Sequence, residues 1–334
     1  MSIGHCSLAD CTLGVTGACV LSHSPASACP NFIADSELVD ATVPKIFKSE
    51  LKTRSLNVGN ELGTQELSTL MSRRYGTVVG VLGETGSGKT CLLSSLYLLA
   101  SIGELRAGLL FGGSNTLVGF EQRLRLLRGW EGVGLPDQLV EHTVLTDPRR
   151  PGFVHLAFVD TRPGTIHDLF FSDLPGEWTT DLIKRESAAN RFQFLRRADV
   201  ILITVQAHSL LRAEKRYNEV QNCRILLQRL RDAIGADRTV PVVFAITRCD
   251  LTGPSLPPAA YELAAASEEF GFANTSIVPV AAFSARDDVP SGLGLGDLIE
   301  VILGGPRDEA IVGRETLFET EGRMFARYRP EPKT

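Results

Sequence analysis

At 334 residues with 43% hydrophobic content, the chain can bury a large core and hold one big domain beside a small module. A formal net charge of −5 offers no basic surface to phosphate backbones, which excludes nucleic acid as the expected partner. No apolar run reaches the roughly 18 residues of a membrane-spanning helix, so no membrane insertion is expected.

The first predicted unit is residues 1–33. Four of the seven cysteines, Cys6, Cys11, Cys19 and Cys29, fall here among small residues with little helical periodicity. Four thiolates in a reducing compartment suit the tetrahedral preference of a structural Zn²⁺, with His5 and His23 as substitutes for one sulfur. Their spacing, C-x4-C-x7-C-x9-C, is looser than the paired C-x2-C of common zinc ribbons, so unliganded thiols are the alternative. Residues 1–44 contain no lysine or arginine, hence neither the charged start of a secretory signal nor an Arg-rich transit face, and a cytoplasmic protein is expected. Residues 34–60, with Pro44 and Gly59, read as a connector to a larger domain at 61–310, followed by a polar extension at 311–334.

That domain opens with helical spacing over 61–72. A short β-rich run at 77–82 follows, then Gly83-Glu84-Thr85-Gly86-Ser87-Gly88-Lys89-Thr90, which satisfies the phosphate-cradling pattern G-x-x-x-x-G-K-[ST] at every constrained position. The run at 91–100 is a good helix former without proline. Strand before and helix after are what the chemistry requires: glycines let backbone N–H groups face phosphate oxygens, and the helix adds the positive end of its dipole. Lys89 is expected to reach the β- and γ-phosphates and the Thr90 hydroxyl to bind Mg²⁺. Cys91 closes this set of candidate nucleotide-binding residues.

Further apolar runs predict strands at 153–159, 166–171, 200–205, 240–246 and 277–283. Helical stretches lie at 190–197, 210–234, 258–270 and 295–303. This alternation specifies an α/β, doubly wound, mainly parallel sheet with ligand at the carboxyl ends of its strands. At one such end Asp173-Leu174-Pro175-Gly176-Glu177 fits D-x-x-G, where Asp173 can hold Mg²⁺ and the Gly176 N–H can contact a γ-phosphate. After the fourth run comes Thr247-Arg248-Cys249-Asp250, whose aspartate can accept from the two N–H groups on one edge of guanine; adenine offers no such pair. Arg248 can lay its guanidinium along the base. Ser284-Ala285-Arg286 follows the last strand and can support the guanine carbonyl.

Taken in order, these four elements resemble the TRAFAC class of P-loop GTPases over about residues 74–303. Within it, the leader ending Cys29-Pro30-Asn31-Phe32, the 79–84 segment, Phe111-Gly112-Gly113-Ser114-Asn115-Thr116 and the Asp173 motif look like bacterial double-GTPase family proteins. The resemblance implies a Ras-like P-loop architecture, GTP and GDP as ligands, Mg²⁺ as cofactor and hydrolysis of GTP in a nucleotide-dependent switch. It also implies a protein partner, a second GTPase or an effector, within a bacterial multigene conflict or defence system.

Three positions depart from the class pattern. Asp173 follows Lys89 by 84 positions, so the first switch carries an insertion, with Thr146 the first choice for its Mg²⁺-capping threonine and Thr143 and Thr116 behind it. Arg149, Arg150 and Arg162 are candidates for an internal arginine finger. Glu177 stands where Ras-like enzymes carry the glutamine that orients water; a carboxylate accepts but cannot donate, so slow hydrolysis is expected, with Lys89 and Glu177 as catalytic residues. Gln206 replaces the aspartate of many relatives, with no consequence derivable from sequence. The competing readings are a non-catalytic guanine-nucleotide-binding assembly protein and, if the Asp250 match is chance, a P-loop ATPase or kinase.

Overall fold

The computed structural model describes residues 4–8, 10–34, 59–72, 74–128, 150–162, 164–235 and 238–304. They fall into two units, Met1–Leu56 and Asn57–Thr334. In the first, β1 (Gly4–Cys6) pairs antiparallel with β2 (Phe32–Ala34), and between them lie α1 (Leu13–Thr16) and a 3-10 turn (Ala26–Ala28). Among its described side chains Cys29 alone is buried, so this unit has almost no hydrophobic core.

The second unit starts with α2 (Thr64–Met71), whose first turn is fixed by the Gly63 N–H donating to the Glu66 carboxylate at 2.7 Å. Next come β3 (Gly76–Leu82), α3 (Lys89–Ile102), β4 (Leu109–Gly113), α4 (Leu117–Arg123) and α5 (Arg125–Arg128). The hairpin of β5 (Gly152–Asp160) and β6 (Ile166–Asp173) leads into α6 (Gly176–Lys184), a 3-10 stretch (Glu186–Arg197) and β7 (Val200–Gln206). The chain continues through α7 (Ala207–Leu211), α8 (Ala213–Ile234), β8 (Pro241–Thr247), α9 (Cys249–Thr252), α10 (Pro258–Glu269), β9 (Ala273–Pro279) and α11 (Leu295–Gly304).

The strand order is β4-β5-β6-β3-β7-β8-β9. β6, β3, β7, β8 and β9 run parallel, while β5 is antiparallel to both β4 and β6. A tight hairpin can join β5 only to an antiparallel neighbour, whereas the helical crossovers elsewhere return each strand parallel. The sheet is therefore mainly parallel and covered on both faces. Along β3 the faces alternate as strand geometry requires: Val79 and Val81 pack with Leu92, Leu96 and Ile299, whereas Leu82 packs with Trp178, Leu195, Leu227 and Phe244. Gly80 lies on the second face because a Cβ there would come within 2.4 Å of the Leu195 side chain.

Several predicted boundaries move. The last strand is Ala273–Pro279 rather than 277–283, because the apolar residues after Pro279 serve a loop that tucks back: the Val280 N–H donates to the Ile246 carbonyl and the Cys249 N–H to that of Val280. The 210–234 helix breaks at Arg212, which is extended at φ −79° and ψ 116°. The 190–197 stretch is 3-10 rather than α, and β4 was not foreseen at all. Most of the 34–60 connector and the whole 311–334 extension lie outside the described residues. No described helix is long and apolar enough to cross a membrane.

Candidate functional site

Because β3, β6, β7 and β8 run parallel, their carboxyl ends meet at one edge of the sheet, and the loops leaving them converge. The Gly83–Thr90 loop leaves β3, with Gly86 at φ +78° and Gly88 at φ +94°, backbone that favours glycine. Side chains from β7, β8 and α6 tie this loop down. Ser87 Oγ lies 2.7 Å from Thr204 Oγ1, which itself donates to the Leu82 carbonyl at 3.1 Å. Thr247 Oγ1 donates to the Ser87 carbonyl at 2.7 Å, Gln206 Nε2 to the Gly86 carbonyl at 2.6 Å, and the Gly83 N–H to Thr179 Oγ1 at 3.2 Å. With several carbonyls claimed by these donors, the loop is held as an anion cradle before any ligand enters.

Lys89 is buried at the start of α3. Its ammonium donates to the Gly83 carbonyl at 2.7 Å and the Glu84 carbonyl at 3.2 Å. Burial lowers its pKa to about 8, against the opposing charges of Asp173, Glu177 and Glu84. Thr90 follows at the second position of α3, partly exposed, and Cys91 is half-buried beside it.

Asp173 ends β6 and is 1% exposed. A carboxylate so deep needs a partner, and Arg123 on α4 supplies one: both Nε, at 3.0 Å, and Nη2 donate to its Oδ2. Thr90, in the first turn of α3, and Asp173, at the end of β6, are hard oxygen donors at this edge, the kind Mg²⁺ takes, so the residues fit that ion. Gly176 packs directly on the cradle, where a Cβ would lie 2.4 Å from the Thr85 backbone nitrogen. Glu177, in the first turn of α6, is exposed, and its charge reaches Lys89.

Beyond β8, Thr247 is buried and Arg248 takes a left-handed conformation at φ +59°, its Nη2 donating to the Gly86 carbonyl at 3.4 Å. Asp250 sits half-buried in α9, its pKa raised by burial against its own backbone N–H, Arg248 and Arg286. The 280–286 segment lies alongside, through the Cys249 to Val280 hydrogen bond and the Arg286 charge felt by Asp250. Ser284 Oγ accepts from the Arg286 N–H at 3.1 Å, and Ala285 and Arg286 are exposed. Thr247 and Arg248 thus touch one end of the cradle, with Asp250 and the 280–286 segment next to them, and Gly176 packs on it from the β6 side.

Thr146, Thr143 and Arg149 lie outside the described residues. Thr116 is fully buried and accepts from the His155 N–H at 2.9 Å, which ties it to β5 as a structural hydroxyl. Arg162 is a correction: it turns the β5–β6 hairpin beyond the amino end of β6, a strand whose length of about 23 Å at ~3.3 Å per residue separates that end from Asp173. Arg150 stays near the edge, since Gly152 pairs with Asp173. Sequence reasoning missed Thr179, Thr204 and Arg123 and found no role for Gln206. Thr204 and Gln206 did carry a signal: polar residues two apart at the end of a buried apolar strand point to one face and need partners there.

In the N-terminal unit, Cys6, Cys11, Cys19 and Cys29 line one cavity of about 130 Å³ together with Leu8, Asp10, Val20 and Leu21. Backbone N–H groups of Leu13 and then Val20 lower the Cys11 thiol, which also hydrogen-bonds Cys6. As the side chains stand, no group of three or more His, Cys, Asp or Glu among the described residues is arranged to hold a metal ion.

A family model described as Double-GTPase 2 matches residues 77–303. None of the curated proteins matches the chain. Among solved structures, GDP-bound Roco2 RocCORdC of Methanosarcina barkeri shares 18% identity at a TM-score of 0.36, covering 69% of this chain and 50% of its own. A GTP-binding protein of Sulfolobus solfataricus in complex with GDP shares 12% at 0.38, covering 72% and 55%. Toc33 of Arabidopsis thaliana shares 16% at 0.37, covering 74% and 94%. The chain spans about half the length of the first two, and likenesses of this degree add nothing to the family match.

Proposed function

The chain belongs to the Double-GTPase 2 family, and on that premise we propose a slow GTP-hydrolysing switch whose guanine specificity rests on Asp250. The observation that carries this reading is the convergence on one sheet edge of a pre-tied phosphate cradle, a buried aspartate with Gly176 against Thr85, and Asp250 beside the 280–286 segment.

In this reading the N–H groups of 83–90 and the Lys89 ammonium hold the β- and γ-phosphates. Thr90 and Asp173, with a switch threonine such as Thr146, would hold Mg²⁺, which when bound would neutralise charge on those phosphates. Gly176 senses the γ-phosphate, since its loop already rests on the cradle. Glu177 accepts from the attacking water but donates nothing to it, which keeps turnover slow. The same features favour a second reading, a non-catalytic guanine-nucleotide-binding assembly protein, because an exposed carboxylate is a poor neighbour for a γ-phosphate. In either case the loop movements serve a protein partner, a second GTPase or an effector of a multigene conflict or defence system, in the cytoplasm where GTP is plentiful. For the N-terminal unit the reading is structural Zn²⁺ on Cys6, Cys11, Cys19 and Cys29, supported by their shared cavity; the thiols would have to draw together around the ion.

Asp250→Asn tests the central reading. Replacing a charged acceptor should weaken GTP by roughly 10- to 100-fold while xanthosine triphosphate, whose edge accepts where guanine donates, binds as well or better. Equal loss of both nucleotides in titration would remove the guanine assignment and return the chain to an ATPase or kinase reading.

A further inference from the structure

The Arg123–Asp173 ion pair has no counterpart in the sequence motifs. Arg123 is the last residue of α4, and its side chain is 11% exposed against 1% for Asp173. Nε and Nη2 converge on a single carboxylate oxygen, and Nη1 donates to the Gly119 carbonyl of its own helix at 2.7 Å. The remainder of α4 is fixed elsewhere. Thr116 ties its start to β5, Phe120 stacks on Tyr97 of α3 at 4.8 Å, and the Gly119 N–H donates to the Gly59 carbonyl at 2.9 Å. The guanidinium therefore stands as a cation bonded to the buried carboxylate that the D-x-x-G motif reserves for metal, with the Lys89 charge also felt there. A divalent cation drawing on Asp173 meets a like charge already bonded to it.

We propose that Arg123 is an internal latch on the magnesium site: it holds Asp173 while the metal is away and is displaced when Mg²⁺ arrives, so that metal binding is transmitted to the end of α4 and to α5. The proposal rests on the GTPase reading above. Its consequence is a positioning role. Arg123 acts on phosphate chemistry only through Asp173, it weakens Mg²⁺ binding until nucleotide phosphates add their own attraction, and its release loosens the end of α4 and α5. The pair spans 50 residues and joins the end of α4 to the D-x-x-G motif, so these two cannot move independently while it is closed.

The test uses the full chain loaded with GDP in chelator and titrated with Mg²⁺. Mg²⁺ affinity is read by calorimetry and backbone exposure by hydrogen exchange over residues 117–128. Wild type should exchange faster in this segment once Mg²⁺ binds. Arg123→Gln should bind Mg²⁺ about tenfold or more tighter, within the usual range for coupled sites, and show an exchange rate that Mg²⁺ no longer changes. Arg123→Lys, which keeps the charge but not the fork, should fall between them. Unchanged or weaker Mg²⁺ affinity in a variant that still binds GDP would overturn the latch. Should Arg123→Gln not fold, the wild-type exchange decides: no Mg²⁺ response at 117–128 overturns it. Failure of wild type to bind GDP would strike the GTPase reading instead, and the same comparison with Mg²⁺ alone would still report on the latch.

Discussion

Glu219 on α8 shows how a single residue can charge the neighbourhood of the cradle. Its carboxyl is raised to about 7 by burial and then by the charge of Glu84, with Lys215 opposing. Glu84 in turn is held by Asn222, one turn along α8, whose Nδ2 donates to Oε1 at 2.8 Å. A raised carboxyl means that the folded chain binds more protons than the unfolded one between the ordinary value of 4.5 and about 7. Stability from this group is thus complete below the lower value and lost as pH rises through the upper. Glu219→Gln should flatten that decline and leave the protein more stable at pH 8 by on the order of 1–3 kcal/mol after solvent screening, with little change at low pH. Urea denaturation at the two pH values checks this, and an unaltered pH slope would refute it. At this scale the sequence was legible wherever chemistry is local: the cradle, Asp173 and Asp250 each sit inside a short pattern. Arg123 and Thr179 were not legible, because each acts on a residue 50 and 96 positions away and only folding brings the partners together. Gln206 was visible as an oddity, but its hydrogen bond across 120 positions was not.

Elements were readable where burial on both faces forces a continuous apolar run. β7 was expected at 200–205 and is Val200–Gln206, and β8 differs from expectation by one residue at each end. The edge strands were harder. β9 carries Asn274 exposed and Thr275 and Ser276 partly exposed, and β4 is a five-residue strand with two glycines, so neither presents the pattern of a central strand. The break at Arg212 lacks the glycine or proline that usually marks one. The N-terminal unit poses a different problem, since two three-residue strands and one buried cysteine cannot stabilise themselves by hydrophobic burial alone. Zinc binding, on the order of 10 kcal/mol in small zinc modules, would supply what the core lacks. Protein purified without chelator should then carry one zinc per chain, and stripping it should unfold residues 4–34 while GDP binding survives. Metal-free protein with four freely reacting thiols and an unaltered spectrum would refute the zinc reading.

For the molecule as a whole, the order of motifs along the chain was enough to give the doubly wound sheet and its ligand edge, because helical crossovers deliver successive parallel strands with their carboxyl ends together. What order could not give is the strapping of the cradle by β7, β8 and α6 and the closure of Arg123 on Asp173. In the proposed reading the cradle and Asp250 together select a guanine nucleotide. The most direct test is the thermal stability of the full chain with Mg²⁺ and GTP, GDP, ATP or no nucleotide. Guanine nucleotides at 100 times their dissociation constant should each add roughly 2.7 kcal/mol, with ATP adding nothing; an equal rise with ATP, or no rise with GTP or GDP, would contradict the claim.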